Sequence, residues 1–263
     1  MKIPNKTFIV TGAGSGMGQE LTVQLIQKGA KVAMVDIHEK GLDETEVLVG
    51  KEHVSKHVLN IADKTQVEKL PEQFFQYHKT IDGLINNAGI IQPFIPVNAL
   101  DYEQIERVMD VNFYGTVYMT KTFLPYLLKR GEAHIANVSS MGGFIPFPGQ
   151  TVYSASKAAV KIFTEGLYSE LKSTNIGVTV IHPGAINTNI MSNSGVEMRD
   201  NADAANKTLP ANKAAAIMIR AIEKNKYRVM VGKDARMLDI LYRISPKMAV
   251  NLITKQMAKM VEK

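Results

Sequence analysis

Tyr153 and Lys157, the first and last residues of the stretch YSASK, are the side chains of this sequence best suited to moving a proton. Residues four apart share one face of a helix, so phenol and ammonium in that register act on the same small volume. A tyrosine is a poor base at neutral pH. Its ordinary pKa is about 10, and bringing it to about 7 takes roughly 4 kcal/mol of preference for the phenolate. One unit charge about 4 Å away supplies on the order of 4 kcal/mol at an effective dielectric near 20. Lys157 is therefore sufficient in principle. Standing alone, the pair would read as an ordinary exposed helix face.

A second group lies near the N-terminus. TGAGSGMG, residues 11–18, follows a β-branched run and opens a helix-length segment, so its backbone amides can point at a pyrophosphate that also meets the positive helix end. Gly12, Gly16 and Gly18 keep the spacing Gly-x3-Gly-x-Gly, and Asp36 closes the next strand about 20 residues on, where a ribose is expected. A carboxylate there accepts hydrogen bonds from both ribose hydroxyls and repels a 2′-phosphate, which favours NAD over NADP. Ser15 and Ile37 offer no cation to pair with such a phosphate, although His38 and Lys40 follow closely.

These groups need a frame that carries distant positions to one place. From Lys6 the chain repeats a short β-branched run, a turn and a helix-length segment, with strands expected at 6–11, 31–36, 53–59, 81–86, 133–139, 176–182 and 227–232. Near-continuous apolar strands joined by helices imply an α/β fold with a doubly wound parallel sheet, and ligands then collect at the strands' carboxyl ends. The 263 residues are expected to form one domain, and 45% hydrophobic with 21% charged content leaves no tract for disorder. With no cysteine, disulfides and thiol catalysis are excluded. The six histidines are scattered singly, and no metal is expected.

The first apolar run passes directly into the Gly-rich turn, so it reads as a strand rather than a signal peptide, and cytoplasmic residence is the expectation. No window approaches the roughly 18 to 20 apolar residues of a membrane-spanning helix. The net charge of +6 comes without basic blocks interleaved with aromatics, which argues against nucleic acid. Two regions break the rhythm. Residues 188–210, rich in Asn, Ser, Asp and Ala, are expected to form a substrate lid. Residues 233–263 carry Met237, Leu238, Ile240, Leu241, Met248, Val250, Leu252 and Ile253 among lysines and arginines, with Pro246 interrupting any single helix. A covering flap, a subunit contact and a membrane-surface helix all fit this basic tail.

Beside YSASK and TGAGSGMG stand NNAG at 86–89, Asn112, NVSS at 137–140 and PGAINT at 183–188. Together, in this order and over roughly residues 5–190, they resemble the short-chain dehydrogenase/reductase family. The resemblance implies a Rossmann-like fold with a mostly seven-stranded sheet, and it implies roles. Tyr153 would be the general acid/base, and Lys157 would lower its pKa and hold the nicotinamide ribose. Ser140, thirteen residues before Tyr153, would hydrogen-bond the substrate oxygen. Its competitor Ser139 would bond within the sheet. Asn112 would hold a water joining Lys157 to solvent, with a helix-kink role as the plain alternative. The dinucleotide would meet Gly12, Ser15, Gly16, Met17 and Gly18, then Asp36, Ile37, Asn60, Ile61, Asn87, Ala88 and Gly89. Its nicotinamide end would meet Pro183, Gly184, Ile186 and Thr188. Asn86 would tie neighbouring strands, and His182 reads as packing. One departure is Asn60, where relatives usually carry aspartate facing the adenine amino group; an asparagine oxygen accepts the same bond.

The function expected is hydride transfer between NAD and a hydrophobic secondary alcohol or ketone, with a homodimer or homotetramer built through the helices at about 101–130 and 153–172. The residues facing the substrate are expected at 90–96 and 141–150, both rich in Phe, Ile and Pro. A non-catalytic NAD-binding redox sensor is the rival reading. Such a protein would need the cradle and Asp36 but not Ser140, Tyr153, Lys157 and Asn112.

Overall fold

The computed structural model describes residues 1–196 and 208–261. All seven expected strands form, trimmed or extended by a residue or two at their ends: β1 (Thr7–Thr11), β2 (Lys31–Asp36), β3 (Val54–Val58), β4 (Gly83–Asn86), β5 (Ala133–Val138), β6 (Ile176–Pro183) and, after the two-residue strands β7 (Ile186–Asn187) and β8 (Leu209–Pro210), β9 (Arg228–Val231). The main sheet runs β3-β2-β1-β4-β5-β6-β9 with every pairing parallel. The order reverses between β1 and β4, so the carboxyl ends of those two strands flank an open crevice. TGAGSGMG leaves one of them and NNAG the other.

Helices cover both faces: α1 (Gly16–Gln27), α2 (Glu39–Val49), α3 (Lys64–Tyr77), α4 (Tyr102–Met109), α5 (Gly115–Leu127), α6 (Thr151–Glu170), the single turn α7 (Ile190–Asn193), α8 (Ala211–Glu223), α9 (Lys233–Ile244) and α10 (Pro246–Val261). The period of two along a buried strand divides the core. Phe8 and Val10 pack with Leu21, Leu25, Leu42 and Met218 of α1, α2 and α8, whereas Ile9 packs with Phe74, Phe123 and Leu167 of α3, α5 and α6. A third cluster lies apart from these. There Leu238, Ala249 and Ile253 of α9 and α10 cover Met141, Phe144, Ile145 and Phe147. One face of the C-terminal helices is thus a covering flap, and Ile145 is core rather than a substrate contact.

Pro246 separates α9 from α10, as its missing N–H requires. Of the expected lid, β7 and β8 pin the two ends together in parallel, Ile186 opposite Leu209; residues 197–207 lie outside the described part. Between α4 and α5 the chain makes one π-helical stretch, residues 110–114, whose extra residue per turn rotates Asn112 into the core.

Candidate active site

The crevice beyond β1 and β4 is a cavity of about 540 Å³. Gly12 and Gly16 line it with φ of 68° and 53°, a left-handed backbone that other residues adopt at a cost. Gly18 does not line it. It lies behind the turn, where an added Cβ would overlap the Gly12 carbonyl, so its role is close packing of helix against loop. Ser15 precedes α1 without capping it and instead accepts a hydrogen bond from Asn193 Nδ2 at 2.9 Å. The first amides of α1 are thereby left to an anion in the cleft.

Asp36 sits at the other side of the cradle and braces it. Its Oδ2 accepts the Gly14 N–H at 2.9 Å and its Oδ1 the His38 N–H at 3.0 Å. Each oxygen keeps a second lone pair for a ribose hydroxyl. Met17, Ile37, Asn60, Ile61, Asn87, Ala88, Gly89 and Thr188 line the same cavity. Asn60 spends one lone pair on the Ala62 N–H at 3.0 Å. Thr11 supports the opposite wall, its Oγ1 accepting the amides of Asn87 and Ala88 at 3.0 Å each. Asn87 Oδ1 is buried with no partner among the described residues, an acceptor open to a ligand group. Glycines where Cβ atoms would crowd the walls, free amides at a helix start and a carboxylate beyond them fit a dinucleotide. Arg107 of α4 also lines the cavity, and no sequence signal pointed to it.

Tyr153 and Lys157 stand on the first turns of α6, and the way that helix begins was not legible in the sequence. Gln92, expected among the substrate contacts, is 1% exposed, and its Oε1 accepts the amides of Val152 and Tyr153 at 2.8 and 3.0 Å. It caps α6 from a loop sixty residues upstream. Ser156 Oγ donates to the Tyr153 carbonyl at 2.7 Å and accepts from Asn112 Nδ2 at 2.9 Å. The rest of the Asn112 amide is spent on Ile90: Oδ1 accepts its N–H at 2.8 Å and Nδ2 donates to its carbonyl at 2.9 Å. Asn112 therefore sits at a kink and also clamps the loop that follows NNAG to α6.

Lys157 Nζ is buried, donates to the Val138 carbonyl at 3.1 Å and would lie 2.8 Å from a Cβ on Gly89, so only glycine admits it to the cleft wall. Burial lowers its pKa to about 8. Burial likewise holds the Tyr153 phenol above its ordinary value, and a hydrogen bond with Ser140 opposes that. The expectation that Lys157 alone brings the phenol down thus meets an opposing desolvation that its charge must first overcome.

Ser140 Oγ also accepts the Gly142 N–H at 3.0 Å, fixing its rotamer beside Tyr153. Ser139 bonds within the sheet through its N–H, which donates to the Ile181 carbonyl of β6 at 2.8 Å, while its hydroxyl crosses to α6 and donates to the Lys157 carbonyl at 2.7 Å. His182 is more than packing. Its Nδ1 donates to the Ser140 carbonyl at 2.9 Å, which makes Nδ1 the protonated nitrogen and leaves Nε2 buried without a partner among the described residues. Asn86 ties β4 to β5 as expected, donating to Asn137 Oδ1 at 2.8 Å.

Pro183, Gly184 and Ile186 form the turn leaving β6 and do not line the cavity; Thr188 beyond them does, against Gly16. The turn is held by Asp234 of α9, whose Oδ2 accepts the Ala185 N–H at 2.6 Å, while a Cβ on Gly184 would overlap the same carboxylate. Asp234→Ala is expected to raise the dinucleotide Kd about three- to tenfold, a charged hydrogen bond discounted for exposure. Asp234→Asn, which keeps an acceptor, should recover most of it. Titration calorimetry checks this; equal Kd in the alanine variant and wild type would show that the turn holds itself.

A family model described as short chain dehydrogenase matches residues 6–199. A Mycobacterium tuberculosis protein bearing the name oxidoreductase SadH is 34% identical over 265 residues, covering 97% of this chain and 96% of its own. The 3-oxoacyl-acyl-carrier-protein reductase FabG of Thermotoga maritima is 38% identical over 192 residues, 72% of this chain and 77% of its own. A short chain dehydrogenase from Burkholderia cenocepacia solved in complex with NADP has a TM-score of 0.80 at 26% identity, over 96% of this chain and 99% of that chain. One from Burkholderia phymatum in complex with NAD reaches 0.86 at 23%, over 94% and 96%, a likeness of fold alone.

Proposed function

The chain belongs to the short-chain dehydrogenase family of oxidoreductases acting on CH–OH groups, and we propose that it transfers a hydride between NAD and the carbinol or carbonyl carbon of an apolar secondary alcohol or ketone. The observation that carries this reading is the continuity of one cleft from Asp36, through the cradle, to Gly89, with Lys157 directly behind that glycine. When bound, the dinucleotide supplies the hydride acceptor or donor at its nicotinamide ring.

The chain's own residues handle the oxygen. In reduction, Tyr153 Oη gives its proton to the carbonyl oxygen as the carbon gains hydride; in oxidation it takes the hydroxyl proton as the carbon–oxygen double bond forms. Ser140 donates a hydrogen bond to the same oxygen and stabilises its developing charge. A phenol held above its ordinary pKa enters protonated at neutral pH, the state that reduction needs. Oxidation needs the phenolate, which the charges of Lys157 and an oxidised nicotinamide favour. Asn112 and Gln92 act through other groups, as positioning residues for α6 and the loop that faces it.

Asp36 supports NAD, since its carboxylate would oppose a 2′-phosphate. FabG acts on 3-oxoacyl chains by its name, which supports a ketone on an apolar chain here. Exposed Tyr102, Tyr114 and Ile162 on α4–α6 and the stretch between them support a dimer or tetramer through those helices. The cluster beneath α9 and α10 supports one domain over the whole chain.

The test is a panel of hydrophobic alcohols and ketones followed at the NADH absorbance, with NAD and NADP in parallel. NAD is expected to give the higher kcat/KM, and Asp36→Asn to reduce that preference about tenfold or more, the worth of one charged hydrogen bond. A wild type that prefers NADP would overturn the assignment of Asp36.

A further inference from the structure

The C-terminal helices have two apolar faces, and only one is used. Leu238, Ala249 and Ile253 are buried over residues 141–147, but Met237, Ile240, Ile244, Met248 and Leu252 on the opposite side are 54%, 53%, 73%, 50% and 36% exposed. Spacings of three and four put Met237, Ile240 and Ile244 on one face of α9, and Met248 and Leu252 stand four apart on one face of α10. Scattered surface leucines need no explanation, whereas five large exposed apolar side chains within sixteen residues, in register on each of two successive helices, do.

The charge around these faces is of one sign. Lys233, Arg236, Lys247 and Lys255 flank them and pair with no carboxylate among the described residues. The two carboxylates of α9 are engaged by other partners: Asp234 accepts the Ala185 amide, and Asp239 is held by Arg228 at 2.9 Å and Arg243 at 3.2 Å. Where α9 meets α10, Lys247 and Lys255 stand beside Met248 and Leu252 around a hollow of about 460 Å³. Cations ringing exposed apolar side chains, on helices already anchored from behind, are the arrangement of a helix lying in a lipid headgroup layer. Among the described residues no helix is long and apolar enough to cross a membrane.

From these two exposed apolar faces and their one-signed rim we infer that α9 and α10 dock this protein on an anionic membrane surface. Apolar side chains enter the headgroup boundary and the four cations meet lipid phosphates. A protein partner would need its own acidic rim and a matching apolar groove; a bilayer offers both without shape complementarity. Docking through α9 also sets residues 141–147, and with them Ser140, near the surface.

The test is co-sedimentation of the full chain with vesicles of phosphatidylcholine alone and of phosphatidylcholine mixed with phosphatidylglycerol. Wild type is expected to sediment only with the mixed vesicles and to be released by salt. Ile240→Ser/Ile244→Ser and Lys247→Gln/Lys255→Gln should each weaken binding about tenfold or more, with unchanged thermal melting and unchanged turnover of a water-soluble ketone. No sedimentation of wild type, or equal sedimentation with uncharged vesicles, overturns the inference. So does a lipid-free oligomer that the double serine variant splits, since these faces would then be a subunit contact. The readout is binding rather than turnover, so its failure leaves the hydride-transfer reading untouched.

Discussion

Tyr153→Phe is expected to lower kcat by about 10²- to 10⁴-fold, the usual worth of a positioned general acid, while dinucleotide binding changes little. The substitution removes only Oη. Ring volume is kept, and the start of α6 is fixed by backbone bonds to Gln92 rather than by the phenol. The pH profile separates chemistry from structure. In wild type the oxidation rate should rise toward alkaline pH, because burial holds the phenol above its ordinary value and the phenolate is the base. Ser140→Ala should move that limb still higher, since the serine hydrogen bond is what opposes the shift. Steady-state rates in both directions across pH, with a verified substrate, check this; near-wild-type turnover by the phenylalanine variant would refute the assignment.

Stability is expected to fall steeply on mild acidification. Four buried histidines are held neutral, burial lowering His57, His78 and His182 to about 4 and His134 to about 3. Their partners explain why protonation is costly. Ser55 Oγ bridges the Nε2 atoms of His57 and His78 at 2.8 Å each, and His134 Nε2 meets Thr179 Oγ1 at 2.8 Å. In His182 the nitrogen that would gain a proton, Nε2, is buried without an acceptor among the described residues.

The folded pKa of each lies below the unfolded value of about 6.5, so the unfolded chain binds more protons between the two. The contribution is complete above pH 6.5 and is lost as pH falls through that window toward 4. Each histidine adds about 1.4 kcal/mol per pH unit there; allowing about half for His78, the set gives about 5 kcal/mol per unit. Against a stability of about 5–15 kcal/mol, the loss of roughly 6 kcal/mol by pH 5 takes between a third and all of the margin. Urea unfolding at pH 7 and 5 measures it, and His57→Gln should flatten the dependence. An unchanged midpoint across that range would mean these rings titrate as if exposed.

How much of this was readable from the chain follows from the range of each interaction. The strands were legible because a buried parallel strand needs an apolar run and a βαβ crossover needs a helix between, both local patterns. The cradle was legible because Gly12 and Gly16 answer a backbone demand within eight residues, and Tyr153 with Lys157 because four residues make one helical turn. Membership of the family followed from several such local strings in order.

The supports of the site were not legible. Gln92 reads as one polar residue in an apolar loop, and only the fold brings its amide oxygen to the start of α6. His182 precedes a proline at a strand end, and its bond to the Ser140 carbonyl exists because β5 and β6 are neighbours in register. Ser139 and Ser140 are adjacent in sequence, yet one faces α6 and the other Tyr153, a division made by strand alternation at the end of β5. The tail's dual character is likewise tertiary: its helical spacing was evident, but which apolar face is buried depended on residues 141–147 lying against it. The groups that do chemistry and the elements that carry them follow from local patterns along the chain. The groups that hold them in place come together only on folding, because a hydrogen bond or an apolar contact has a reach of a few ångströms in space, however far apart its partners lie along the chain.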